Sequence, residues 1–103
     1  MKTMKSYQIT VGLGNSSENT LITRSSLLRT RSLELFGGFT VLHGGGGWRD
    51  PSGITVTEPV CIITVVSMSR AKVTEFARFA CRLYAQDCVL LVLPGGDCRL
   101  IKA

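Results

Sequence analysis

The chain has 103 residues, 45% hydrophobic and 18% charged, with a formal net charge of +5. These values exclude a disordered segment and fit one small globular domain over 1–103, which buries only about two thirds of the surface its unfolded chain exposes and gains from partner subunits. The basic charge invites nucleic acid, but Arg24, Arg29 and Arg31 form the densest group and no aromatics interleave with them, which argues against a base-stacking surface.

The opening segment "MKTMKSYQITVGLG" carries two lysines, yet its apolar residues are few and alternating, unlike a signal sequence. No stretch approaches the roughly 18 apolar residues of a membrane span, so the expected compartment is the cytoplasm. Within that segment Ser6–Gly14 reads as a first strand, because Tyr7, Ile9 and Val11 alternate with Gln8 and Thr10. "GNSSEN" breaks it. A helix follows over "TLITRSSLLRTRSLELF": Leu21, Leu28 and Leu35 recur every seven residues with Leu27 in support, and the Gly37–Gly38 pair stops it. Its start is left open.

Gly38–His43 predicts a second strand and Gly53–Ser67 a third, with the run of four glycines, Pro51 and Ser52 as a long excursion between them. Ser69–Gln86 is the clearest helix, since Val73, Phe76, Ala77, Ala80, Leu83 and Tyr84 recur at three and four residues behind a serine N-cap. Asp87–Pro94 is a continuous apolar run fitting a buried strand, and "GGDCRLIKA" reads as a turn and a short tail. The order is βαββαβ, an α+β, ferredoxin-like plan of four antiparallel strands with two helices on one face. The other face then needs a cover, which a ring of subunits would supply.

Familiar catalytic signatures are missing. Cys61, Cys81, Cys88 and Cys98 lack C-x-x-C spacing, lie in apolar contexts and read as reduced core thiols; with one histidine, His43, they do not complete a zinc site. Gly12-Leu13-Gly14 begins like a dinucleotide loop, but Ser17 holds the third glycine's place, so the pair reads as strand-end flexibility. No G-x-S-x-G elbow is present. What remains is polar groups beside strands. Glu58 interrupts "ITVTEPVCIITVV", followed by a proline that points to an edge or bulge; it either faces solvent or serves a ligand. Gln86 and Asp87 stand at a helix-to-strand junction, where an ordinary turn is the plain alternative. Trp48, the only tryptophan, closes the glycine run, either as a lid on the core or against a neighbour. Together these groups would suit a flat, aromatic or cationic ligand.

"ARFACRLYAQDCVLLV" (Ala77–Val92) resembles the corresponding segment of the phage-encoded S-adenosylmethionine (SAM) lyases, formerly called SAM hydrolases: an Ala-Arg-x-Ala-Cys helix running into Gln-Asp-Cys-Val-Leu. "GGWRDP" followed by "TEPV" is similar to an aromatic-Arg-acid triplet and a Thr-Glu strand start in that family, and "LFGGF" adds a further match. The resemblance runs from Leu35 to Val92.

The resemblance implies a PII-like homotrimer of ferredoxin-like subunits with active sites between subunits. It also implies cleavage of SAM to 5′-methylthioadenosine and homoserine lactone without a cofactor or metal, in a phage protein that counters host restriction and methylation. Carried over residue by residue, it makes Glu58, Gln86 and Asp87 the catalytic set. It adds Trp48, Gly46, Gly47, Phe36 and the Phe39 that precedes Thr40 as substrate-binding. Trp48 stands where the family can carry a tyrosine, and indole donates only through its ring N–H. A reaction that depended on the tyrosine hydroxyl would be slow here, leaving a non-catalytic PII-like nucleotide- or partner-binding module as the alternative.

Overall fold

In the computed structural model, which describes residues 3–103, the elements are β1 (Lys5–Gly12), α1 (Glu18–Phe36), β2 (Thr40–Arg49), β3 (Thr55–Ser67), α2 (Arg70–Leu83), β4 (Val89–Val92) and β5 (Cys98–Ile101). Met1 and Lys2, the start of the lysine-bearing segment, lie outside the described residues. The strands form one antiparallel sheet in the order β2-β3-β1-β4-β5.

The expected βαββαβ order is present through β4, but among the described residues the sheet has five strands rather than four. The "tail" makes the difference. Gly95 and Gly96 both take positive φ (93° and 98°), Leu93 N–H donates to the Asp97 carbonyl at 2.7 Å, and the chain reverses so that Cys98–Ile101 pairs with Val89–Val92. Four residues are too few to announce a strand by alternation, and the turn supplies the register instead.

A second correction concerns the glycine run. It is strand, not excursion: glycines 44–47 pair in unbroken register with Val60, Pro59, Glu58 and Thr57. The reversal sits further on. The Asp50 carboxylate accepts from Ser52 N–H at 3.0 Å, Ser52 hydroxyl at 2.6 Å and Ile54 N–H at 2.9 Å, a side-chain-closed turn. Pro59 falls just beyond the end of β1, where β3 needs no donor on that side.

Ile9, Val11, Ile63, Val65 and Leu91 point to one face of the sheet and pack on Val73, Phe76, Ala77 and Ala80 of α2 and on Leu28 of α1. Phe76 is fully buried and meets Phe36 edge-on at 5.4 Å. Ser17 caps α1 by accepting from Thr20 N–H, which settles the start that the sequence left open, and Ser69 caps α2 by accepting from Lys72 N–H as expected. Leu27 is half exposed rather than core, leaving Leu21, Leu28 and Leu35 to carry the inward stripe. Of the cysteines, Cys61 and Cys81 are core thiols, while Cys88 is half-buried and Cys98, opening β5, is exposed.

Among the described residues no helix covers the opposite sheet face. Leu42, Val66 and Leu100 lie on it at 63%, 45% and 70% exposure. No helix of the described residues is long and apolar enough to cross a membrane.

Candidate active site

The site is built where β1 ends, β3 begins and α2 hands over to β4. Gly12, the last residue of β1, pairs with Val60, and Leu13 N–H donates to the Pro59 carbonyl at 2.9 Å. The chain then turns at Gly14, whose φ of 64° is readily available only to glycine. That turn aims the Gly14 N–H at Glu58, which accepts it through Oε2 at 3.1 Å.

Gln86 arrives from the other side. Helix α2 ends in a Schellman arrangement: Gln86 N–H donates to the Cys81 carbonyl at 3.0 Å and Ala85 N–H to the Arg82 carbonyl at 3.1 Å. Ala85 takes the left-handed conformation this ending requires, at φ 52°, where glycine is the usual choice. Gln86 Nε2 donates back to the Tyr84 carbonyl at 3.3 Å, which orients its amide and turns its oxygen outward.

The two side chains meet over Gly12. A Cβ built on Gly12 would stand 2.5 Å from Glu58 Oε1, 2.8 Å from Glu58 Cδ and 2.9 Å from Gln86 Oε1. Two acceptor oxygens therefore converge above one glycine. Such a pair is complementary to a cation or to N–H donors, because neither oxygen brings a proton of its own. Glu58 is half-buried, so it neither faces open solvent nor sits in the core.

The remaining candidates divide. Gly46 and Gly47 pair directly with Glu58 and Thr57, and together with Gly44, Gly45 and Pro59 they line an open depression of about 620 Å³ beside the Glu58 backbone. Trp48 is 53% exposed on the same strand face, diagonal to Glu58 across the β2–β3 ladder, a separation of about 7–8 Å that an aromatic side chain can span. Asp87 follows Gln86 in the chain and is exposed. Phe36 and Phe39 are elsewhere: they flank the start of β2, where Thr40 pairs with Thr64, about 20 Å along the strand from Glu58. Within one subunit the structure does not bring them to the site.

Sequence reasoning missed Gly12 and Gly14. Their G-x-G spacing was visible, but the need for glycine at position 12 arises from side chains 46 and 74 positions away. Burial pushes the Tyr84 phenol up to about 12 and the Cys61 thiol up to about 11, so both stay protonated at neutral pH and supply no nucleophile. Arg24 lies over the Tyr84 ring at 5.9 Å and donates to Ser16 at 3.0 Å, tying α1 to the loop that leaves β1. Among the described residues no group of three or more His, Cys, Asp or Glu is placed to hold a metal ion.

An α+β fold with two helices packed on an antiparallel sheet is the class these elements define. Within it, two solved structures share the fold over nearly the whole chain. One is a phage SAM lyase in complex with S-methyl-5′-thioadenosine, at TM-score 0.70 and 20% identity, covering 95% of this chain and 88% of that one. The other is a phage SAM lyase in the apo state, at TM-score 0.70 and 19% identity with the same coverage. No protein-family model matches the chain, and no curated protein matches it in sequence.

Proposed function

We propose that the protein is a SAM lyase, converting SAM to 5′-methylthioadenosine and L-homoserine lactone. The observation that carries this reading is the convergence of Glu58 Oε1 and Gln86 Oε1 over Gly12, in a fold shared with phage SAM lyases. SAM carries a sulfonium and an ammonium, and the two oxygens form an acceptor pair suited to that positive end.

The reaction asks little of the protein. The substrate's own carboxylate oxygen attacks its γ-carbon, the carbon–sulfur bond breaks, and the bonding pair stays on sulfur, which leaves as a neutral thioether. One positive and one negative charge cancel, and no proton is transferred. Rate comes from holding SAM folded with carboxylate and γ-carbon in line, a positioning effect worth up to about 7–11 kcal/mol, and from excluding water. Glu58 and Gln86 hold the positive end, Asp87 adds negative potential at the rim, and the Trp48 face covers the sulfonium. The reaction needs no cofactor.

The reading includes a homotrimer. The helix-free sheet face, with Leu42, Val66 and Leu100 exposed, is the surface that neighbouring subunits would cover. Phe36 and Phe39 serve the site only if a neighbour supplies them. A phage origin, a role against host restriction and methylation, and action in the bacterial cytoplasm belong to the same proposal.

Purified protein incubated with SAM yields methylthioadenosine by mass spectrometry, and Glu58→Gln lowers the rate at least about 100-fold, as expected for a charged group that holds a cationic substrate. Unchanged SAM would sink the lyase reading. One observation favours a second reading, a PII-like module that binds a nucleotide without turnover: Trp48 offers no hydroxyl where the resemblance carries a tyrosine. Calorimetry giving tight binding of SAM without product would select it.

A further inference from the structure

We infer that Gly12 is a positioning residue: its missing side chain is the notch in which the Glu58 carboxylate and the Gln86 amide oxygen come together. The inference rests on the lyase reading for its kinetic consequence, but its geometric content stands apart from it.

Three distances carry the argument. A methyl group at position 12 would lie 2.5 Å from Glu58 Oε1, 2.8 Å from Glu58 Cδ and 2.9 Å from Gln86 Oε1, all well inside van der Waals contact. The backbone conformation does not ask for glycine there, since Gly12 is absent from the residues with positive φ. Space alone asks for it. The displaced atoms are the ends of two flexible side chains rather than backbone, so a methyl does not prevent the sheet from forming. It moves the carboxylate and the amide by roughly 1 Å, a displacement able to cost about 100-fold where catalysis is positioning. Gly14 holds the other carboxylate oxygen at 3.1 Å, so Glu58 cannot retreat without giving up that bond. A G-x-G that resembles a phosphate loop thus serves as a seat for a carboxylate: one glycine leaves room for it and the other donates to it.

The test uses Gly12→Ala, Glu58→Asp and the double variant in the full chain. Asp is one methylene shorter and withdraws from the space above position 12. Gly12→Ala is expected to fold, with a thermal midpoint close to wild type. It lowers kcat about 10- to 100-fold in the Glu58 chain but by a smaller factor in the Glu58→Asp background, where only the contact with Gln86 Oε1 remains. A readout independent of turnover accompanies it: with isotope-labelled glutamate Cδ, the Glu58 resonance, one of four, shifts in Gly12→Ala while those of Glu18, Glu34 and Glu75 stay in place. An unmoved Glu58 resonance, unchanged kcat, or an equal loss in both backgrounds overturns the inference. If wild type leaves SAM intact, the lyase reading fails, and the resonance alone decides the role of Gly12.

Discussion

Two glycine-bearing regions lie against Glu58, and they need glycine to different degrees. The run of glycines 44–47 dominates the sequence, yet Gly44 and Gly45 have open space where a Cβ would go, only Gly46 would crowd a side chain (Val60 Cγ1 at 2.8 Å), none of the four takes a positive φ, and the segment is ladder-paired strand. Gly12 and Gly14 read in the sequence only as a broken dinucleotide loop at a strand end. There, however, one glycine is demanded by the side chains above it and the other by its φ of 64°. The count of glycines is therefore a poor guide to where the fold needs one. Ala85 completes the contrast, since the backbone adopts φ 52° at that position without having a glycine.

Stability measurements can break or sharpen this contrast. Gly14→Ala has the largest expected effect: a Cβ in the left-handed region costs about 1–2 kcal/mol, and at about 4–8 °C per kcal/mol for a domain of this size the thermal midpoint falls clearly. A midpoint equal to wild type would remove Gly14 from the comparison. Ala85→Gly is expected to raise stability by up to about 1 kcal/mol in denaturant titration, the strain relieved being partly offset by the greater freedom of glycine in the unfolded chain. A loss would mean that the Ala85 methyl packs on something that matters more than its strain.

Gly45→Ala is expected to be smaller still, neutral or stabilising by about 0.5 kcal/mol, because the backbone is compatible and the space is free. If the run serves a ligand or a neighbouring subunit, the same variant keeps its thermal midpoint while losing SAM affinity. A stability loss above about 1 kcal/mol would put both regions in the same class.

The subtlest effect is at the hairpin tip. Hydrogen bonds to Asp50, the Ser52 hydroxyl first and Ile54 N–H next, hold its carboxyl below the ordinary 3.8. A depressed folded value stabilises the turn above pH 3.8, and that contribution is lost as pH falls through the lower folded value. Trp48, two residues away, reports it: its fluorescence changes below pH 3.8, and Asp50→Ala abolishes the change. An identical acid transition in the variant would show that the turn does not depend on this carboxylate.

The legible parts of the fold are those with side-chain periodicity. Val73, Phe76, Ala77 and Ala80 announced α2, and Tyr7, Ile9 and Val11 announced β1. The sequence pattern ends β2 at His43, because glycine has no side chain to alternate and a poor strand propensity; its pairing beyond that point is imposed by Thr55–Val60 across the ladder. Strand β5 was invisible because a turn, not a pattern, sets its register. The site shows the same division. Glu58 and Gln86 stand out as polar groups among apolar neighbours, and Trp48 as a lone aromatic. The seat beneath Glu58 is a matter of empty volume, and no residue spells an absence until its neighbours are in place.

The central claim is that the acceptor pair over Gly12 positions SAM for attack by its own carboxylate. The direct measurement is mass spectrometry of SAM and protein in heavy-oxygen water. The account predicts methylthioadenosine together with homoserine lactone that carries no solvent oxygen at early times. Intact SAM, or homoserine that carries the heavy oxygen from the first time point, would contradict it.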